Sequence, residues 1–197
     1  MMDRISSVKR ITNETKIEVR LNLDGTGKAN LETKIGFFEH MLNGFARHGM
    51  FDLDVYCNGD IEVDCHHSIE DVGIVLGMAI KEAVGDKKGI RRYGSMMLPM
   101  DETLALCAID LSGRPYFVFD ADFTHQSVGG MDTQMVREFF YAISYAAGMN
   151  LHIKVLYGEN DHHIMEAIFK AFAKALDQAT QFDPRITDVL STKGSLS

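Results

Sequence analysis

The chain has 197 residues, of which 46% are hydrophobic and 24% charged, a composition typical of a globular protein and not of a disordered one. Its 20 basic and 28 acidic residues give a net charge of −8 at pH 7, which disfavours a nucleic-acid-binding surface but permits a local basic pocket for a small anion. No apolar run approaches the roughly 20 residues of a membrane-spanning helix, and the N-terminus lacks the apolar core of a signal peptide.

The three cysteines stand apart from one another, and none forms a CxxC pair. An odd number of separated cysteines is typical of reduced thiols rather than of a disulfide framework. We therefore expect a cytoplasmic protein.

The first half of the chain predicts two strands, a helix, a further strand and a second helix. Residues 16–21 alternate apolar and polar with period two, Asp24–Gly27 predicts a turn, and residues 28–35 return as the second strand of a hairpin. Apolar residues at positions 37, 38, 41, 42 and 45 then recur with the spacing of a helix that lies on a sheet. A strand over residues 51–56 leads to a helix that begins near His66.

The second half repeats this order. Strands are predicted at 104–111 and 116–123, on either side of the turn Ser112–Pro115. The helical stripe at 135, 136, 139, 140 and 143 is the first stripe displaced by 98 positions. A strand at 151–155 follows, and the last helix begins near His162.

This repeat predicts an α+β fold with an internal duplication of two ββαβα halves, each with its helices packed on one face of a sheet. The chain contains only 3 prolines and has no Ser/Gly-rich linker between the halves. We expect a single domain of residues 1–197, with halves of about 1–95 and 96–197 that share one core.

The motif His66-His67-Ser68-Ile69-Glu70 recurs as His162-His163-Ile164-Met165-Glu166 at the equivalent place in the repeat. On a helix the glutamate lies four residues after the first histidine and three after the second, on neighbouring ridges. Imidazole and carboxylate together favour metals of intermediate hardness. Because adjacent helical residues point about 100° apart, each histidine pair would reach towards two separate ions, so two pairs could share two ions. The alternative is that these polar residues cap the helices and that the histidines have no ligand.

The chain resembles the imidazoleglycerol-phosphate dehydratase family in segments that follow one another along nearly its whole length. These segments are 10–15, 38–42, 63–74, 91–94, 112–116, 158–170 and 191–194. The resemblance implies the ribosomal protein S5 domain 2-like fold and a monofunctional lyase of L-histidine biosynthesis. This lyase dehydrates D-erythro-imidazole glycerol phosphate to imidazole acetol phosphate.

The resemblance also implies two Mn²⁺ ions per active site, which stabilise an imidazolate and a diazafulvene-like intermediate as the hydroxyl leaves. Glu138 is included as a ligand because a shift of 98 places it where His40 stands in the first helix; many family members have histidine there. A carboxylate oxygen suits Mn²⁺ at least as well as an imidazole nitrogen. The implied metal ligands are His40, His66, His67, Glu70, Glu138, His162, His163 and Glu166.

For acid–base catalysis the resemblance favours Glu14, with Glu166 as the alternative, since a metal-bound carboxylate is a weak base. The phosphate needs charge-assisted donors, which basic side chains and the hydroxyls of the C-terminal segment would supply. The implied substrate-binding residues are Glu14, His40, His48, His66, Glu70, Arg92, Arg114, His162, Lys170, Ser191, Thr192 and Lys193. We expect residues 191–194 to order over the substrate, and we expect His125 to be a surface residue.

The resemblance implies that the chain forms a homo-oligomer, a 24-subunit shell with active sites between subunits. A small phosphorylated imidazole is the expected substrate, with no nucleic acid and no membrane as partners.

Two other classes of protein stay open on the residues alone. A metal-storing assembly would have no use for Arg92, Arg114 and Lys193. An RNA-binding αβ domain is disfavoured by the negative charge.

Overall fold

Two similar runs of secondary structure make up the chain in the computed structural model, which describes residues 4–196. In the first run the elements are β1 (Ile5–Ile11), β2 (Thr15–Asn22), β3 (Ala29–Glu32), α1 (Gly36–Gly49), β4 (Asp52–Gly59) and α2 (His66–Val84). In the second they are β5 (Tyr93–Met100), β6 (Thr103–Asp110), β7 (Tyr116–Asp120), β8 (Ser127–Val128), β9 (Met131–Asp132), α3 (Gln134–Ala147), β10 (Asn150–Tyr157) and α4 (Asp161–Thr180). The α+β class and the duplication are confirmed.

Each half also begins with a strand that the sequence pattern did not identify, β1 in the first half and β5 in the second. Both are edge strands, in sheets of order β1-β2-β4-β3 and β5-β6-β10-β7. The buried positions of β1 include Ser6, and β5 combines a buried Gly94 with an exposed Met97, so neither strand shows a clear hydrophobic alternation. The second half starts at Tyr93, and the boundary expected near 95 and 96 therefore falls inside β5.

The two strands on either side of the turn Asp24–Gly27 do not form the expected hairpin. β4 lies between them, antiparallel to β2 and parallel to β3. Asp52, the first residue of β4, accepts the backbone N–H groups of Thr26 at 2.8 Å and Lys28 at 3.1 Å. The Asp52 carboxylate therefore holds the segment between β2 and β3 against the first residue of β4. The same order recurs in the second half, where β10 lies between β6 and β7.

The four long helices lie between the two four-stranded sheets. Within each half the helices cover one face of their own sheet, and across the halves α2 packs against α3 and α1 against α4. The aromatic side chains of these helices meet at the centre, where Phe139 stacks on Phe169 at 5.3 Å and Phe172 contacts both Phe45 and Phe140. Burial of each such ring contributes about 1.5–3 kcal/mol.

Two glycines of α2 allow an unusually close approach to α3. A Cβ atom on Gly73 would lie 2.8 Å from the carbonyl oxygen of Phe139, and one on Gly77 would lie 2.7 Å from the Cβ of Ala146. Neither position has room for a side chain unless the helices separate. Among residues 4–196, no helix is long and apolar enough to cross a membrane.

Replacing Gly73 by Ala should lower the free energy of unfolding by about 1–3 kcal/mol, because the added methyl group overpacks a contact with backbone atoms. Gly44→Ala in α1 is the matched control, since no atom of another described element lies within 4 Å of the place that its Cβ would take. There the gain in helix propensity should raise the free energy of unfolding by about 0.5–1 kcal/mol. Urea denaturation of both variants measures the two effects, and an equal response would contradict the packing argument.

Candidate active site

The two HHxxE motifs occupy the first turns of α2 and α4, and a polar side chain two residues before the first histidine holds each turn. The Oδ1 atom of Asp64 accepts the N–H of His66 at 2.7 Å. The Oδ1 atom of Asn160 accepts the N–H groups of His162 at 2.9 Å and His163 at 3.4 Å. These side chains satisfy backbone donors that have no partner within the helix, and they thereby fix where the histidines begin.

One group of predicted ligands comes together across the two halves. Glu166 Oε2 lies 3.2 Å from the Nε2 atom of His162 and 3.8 Å from the Nε2 atom of His40. One ligand atom from each of these three residues lies within 4.8 Å of the others. The contact between α1 and α4 creates this group, because His40 belongs to the first half and the other two residues belong to the second. Two imidazole nitrogens and a carboxylate oxygen are a donor set that suits a divalent transition metal.

The corresponding group at the other motif is more open. His66 Nε2 lies 3.3 Å from Glu70 Oε2, and Glu138 of α3 lines the same cavity as His66. However, Glu138 Oε1 lies 3.0 Å from Nη1 of its neighbour Arg137. Within residues 4–196, only the group with His40 brings three such ligand atoms within 4.8 Å of one another. The assignment of Glu138 as a ligand stays a prediction.

The second histidine of each pair contacts a different set of residues from the first. His67 Nδ1 lies 3.0 Å from Asp60, and its Nε2 lies 3.9 Å from Glu14. His163 Nδ1 lies 2.7 Å from Glu102, and its Nε2 lies 3.7 Å from Asp101. The two histidines of each pair therefore point to different neighbours, as expected for adjacent residues of a helix. Within residues 4–196 of one chain, the eight predicted ligands lie in several separate groups.

Glu14 reaches His67 because a polar network anchors the turn between β1 and β2 to α2. The Oδ2 atom of Asp71 accepts the hydroxyl of Thr15 and contacts the guanidinium of Arg10, each at 2.5 Å. Within the turn, the Thr12 hydroxyl accepts the N–H of Glu14 at 3.1 Å. The Glu14 side chain itself is 55% exposed, and the carboxylate is therefore open to a ligand.

The titratable groups respond to these neighbours. The hydrogen bond that the His67 ring donates to Asp60 raises the pKa of His67, and the one that the His163 ring donates to Glu102 raises the pKa of His163. The N–H of Asn160 and the His163 ring lower the pKa of Glu102 to about 2. Burial alone would raise the pKa of Glu166, but the hydrogen bond and charge of Lys170 bring it below its ordinary value.

Basic groups gather beside the predicted ligands His40, His162 and Glu166. Lys170 Nζ lies 2.6 Å from Glu166 Oε1. Burial, followed by the charges of Lys170 and Lys174, lowers the pKa of His48. This neighbourhood therefore favours an anion more than the net charge of the chain would indicate.

The other residues predicted to bind phosphate lie in two further places. Arg92, Ser191 and Thr192 line one cavity, in which Arg92 pairs with Asp110 at 2.7 Å and donates to the carbonyl of Leu190 at 2.7 Å. The next residue, Lys193, is exposed and donates its backbone N–H to the Ser191 hydroxyl at 3.2 Å. Arg114 is exposed in the β6–β7 connection. Within one chain the predicted substrate residues thus form separate groups.

Sequence reasoning missed the carboxylates beside the second histidines, which are Asp60, Asp101 and Glu102. The repeat contained a signal for one of them: Glu14 precedes Thr15 at the start of β2, and Glu102 precedes Thr103 at the start of β6. His125 lies in an exposed loop as expected, although its Nδ1 atom contacts Asp161 at 2.8 Å.

Comparison with known proteins gives a consistent set of similarities. A model of the imidazoleglycerol-phosphate dehydratase family matches residues 33–176. Proteins of that name from Lachnoclostridium phytofermentans and Geobacter sulfurreducens are 63% and 55% identical over 195 residues, covering 99% of this chain and 100% of each relative. The crystal structure of the Staphylococcus aureus dehydratase has a TM-score of 0.82 at 40% identity, covering 91% of this chain and 99% of that one. The Pyrococcus furiosus structure, in complex with (S)-C348, has a TM-score of 0.82 at 33% identity, covering 96% and 100%.

Replacing Lys170 by Met should destabilise the metal-free protein at neutral pH, because Glu166 would lose its charged partner while only 14% of its side chain is exposed. Loss of one member of a buried pair costs about 3–5 kcal/mol, and partial exposure reduces the expected cost to about 1–3 kcal/mol. The folded-state pKa of Glu166 lies below its ordinary 4.5. The stability that the pair contributes is therefore present above that pH and is lost in acid, where the difference between the proteins should shrink.

Urea unfolding of the two metal-free proteins between about pH 3 and pH 8 measures this dependence. The double variant E166Q/K170M removes both charges together and should recover much of the lost stability. A loss that is the same at every pH would contradict the pairing.

Proposed function

The chain belongs to the imidazoleglycerol-phosphate dehydratase family, the hydro-lyases of histidine biosynthesis, and on this premise we propose that it dehydrates imidazole glycerol phosphate at a dinuclear manganese site. The observation that carries the metal site is the group of His40, His162 and Glu166, whose ligand atoms converge from both halves of the chain. If the motif only capped the start of α4, no contact with His40 of α1 would be required.

The donor chemistry of the site fits Mn²⁺, which accepts imidazole nitrogens and carboxylate oxygens together. We propose the ligands His40, His66, His67, Glu70, Glu138, His162, His163 and Glu166. When bound, Mn²⁺ ions would act as Lewis acids towards the nitrogens of the substrate's imidazole ring. Because the predicted phosphate-binding residues at Arg92 and the group of His40, His162 and Glu166 lie apart within one chain, each complete site would combine residues of more than one copy of the chain. This supports a homo-oligomer, for which we propose the 24-subunit shell that the family resemblance implies.

For the proton transfers we propose Glu14 as the principal acid–base residue. Its side chain is 55% exposed beside His67. Glu166, the alternative, is hydrogen bonded to Lys170 and adjoins two imidazole rings, so its lone pairs are already engaged. An exposed carboxylate can accept a proton from a bound substrate and return it without first breaking an ion pair.

For the phosphate we propose the cavity at Arg92 together with the C-terminal hydroxyls and Lys193. Three of the five guanidinium N–H donors of Arg92 are used by Asp110 and Leu190, and two remain for an anion. Arg114, Lys170 and His48 would add donors from other parts of the complete site.

The three cysteines are free, which supports a reducing, cytoplasmic location.

The purified protein loaded with Mn²⁺ should convert imidazole glycerol phosphate to imidazole acetol phosphate, and removal of the metal with EDTA should stop turnover until Mn²⁺ is restored. His162→Ala should lower turnover by more than about 100-fold, because it removes a ligand from the converged group. The matched control is His152→Ala, at an exposed position of β10. Absence of product from fully loaded protein would rule out the proposed activity.

Glu138 can be tested separately as a ligand. Glu138→Ala should weaken Mn²⁺ binding at one of the two positions, whereas Glu138→His should retain both ions because imidazole is an equivalent donor. The bound metal is counted by elemental analysis after dialysis, with Glu82→Ala on the exposed surface of α2 as the control. Two ions bound as tightly in Glu138→Ala as in the unaltered protein would exclude this residue from the ligand set.

A further inference from the structure

Both second histidines of the HH pairs are held in the same way, through Nδ1 and by a carboxylate. The two oxygens of Asp60 lie 3.0 and 3.2 Å from Nδ1 of His67. Glu102 Oε2 lies 2.7 Å from Nδ1 of His163. Asp60 follows β4 within its own half, while Glu102 stands in the turn between β5 and β6. The same contact therefore arises from two different places in the repeat.

A carboxylate at Nδ1 determines what the other ring nitrogen can do. A neutral imidazole carries one N–H group, and an ionised carboxylate can only accept it. With the proton on Nδ1, the Nε2 atom keeps a free lone pair, which is the form that binds a metal. The contact also limits rotation of the ring.

We propose that Asp60 and Glu102 are positioning residues, which fix the tautomer and orientation of His67 and His163 so that each presents its Nε2 lone pair to Mn²⁺. The inference rests on the manganese site of the proposed function. It assigns to these carboxylates a role that acts through the imidazole rings and requires no contact with substrate or metal.

Glu102 is itself held firmly enough for this role. Its Oε1 atom accepts the N–H groups of Asn160 at 2.9 Å and Glu159 at 3.3 Å, and the Thr103 hydroxyl at 3.2 Å. The other oxygen is thereby directed at His163. One side chain thus ties the β5–β6 turn to the segment that begins α4, and the histidine and its carboxylate keep a fixed separation.

The test replaces each carboxylate by its amide, in Asp60→Asn and Glu102→Gln, using the full-length protein. An amide N–H that faces Nδ1 would make this nitrogen an acceptor and move the proton to Nε2, which removes the metal-binding lone pair. Mn²⁺ affinity, measured from the electron paramagnetic resonance signal of free Mn²⁺, should fall about 10–100-fold. Asp60→Glu and Glu102→Asp keep a carboxylate and should recover part of this loss.

The matched controls are Glu62→Gln and Glu159→Gln, which remove a negative charge close to the same motifs at exposed positions whose side chains contact no imidazole in the described structure. Both should bind Mn²⁺ within about threefold of the unaltered protein. Thermal melting of every variant without metal separates loss of affinity from loss of folding. If only Glu102→Gln melts early, Asp60→Asn still decides the question.

Each outcome distinguishes the positioning role from the metal site itself. Wild-type affinity in both amide variants would overturn the positioning role and leave the manganese site intact. An equal loss in the two controls would also overturn it, because the effect would then be one of local charge. Failure of the unaltered protein to bind Mn²⁺ would overturn the manganese site and the positioning role together.

Discussion

The close contact between α2 and α3 at Gly73 and Gly77 is the constraint on which the relative placement of the two halves depends. The Phe139 carbonyl lies where a side chain on Gly73 would have to pass, so the helices meet backbone to backbone. Such a contact has little freedom to slide, because packed interiors tolerate shifts of only a fraction of an ångström. His66, at the start of α2, lies two turns before Gly73, and Glu138 immediately precedes Phe139. Their shared cavity is a consequence of this contact.

The equivalent contact of α1 with α4 depends on aromatic packing instead. Phe45 of α1 stacks on Phe172 of α4 at 5.5 Å, and Phe172 in turn contacts Phe140. Further along the same pair of helices, His40 faces Glu166. A polar group that spans two halves of a chain thus lies next to a rigid apolar core, where rotamers are restricted. This arrangement holds the predicted ligand atoms of His40, His162 and Glu166 within 4.8 Å of one another.

The duplication does not make the two groups of predicted ligands electrostatically equal. Four residues after Glu166 comes Lys170, which forms an ion pair with it, whereas four residues after Glu70 comes Ile74. The first group therefore includes a cation, and the second has an additional carboxylate nearby in Glu138. A substrate with an imidazole at one end and a phosphate at the other has no internal symmetry, and an asymmetric pair of groups can distinguish its two ends.

The sequence alone determined the helices, the strands beside them, the repeat and the positions of both HHxxE motifs. These features are recorded in local periodicity and in spacing along one helix, which need no knowledge of the partner surface. The family resemblance supplied the chemistry. The periodicity was weakest at β1 and β5, because the buried positions of β1 include Ser6, those of β5 include Gly94, and the apolar Met97 of β5 is exposed.

Only the tertiary structure decided the order of the strands, the convergence of His40 with His162 and Glu166, and the carboxylates at the second histidines. An alternating strand specifies which face is buried but not which strand lies beside it, so the insertion of β4 between β2 and β3 left no local pattern. Likewise, the phase of His40 on α1 places it at the edge of an apolar stripe without identifying the facing helix. Contacts between distant segments depend on how whole elements pack, and single residues such as Asp60 and Glu102 become recognisable only when those elements have been brought together.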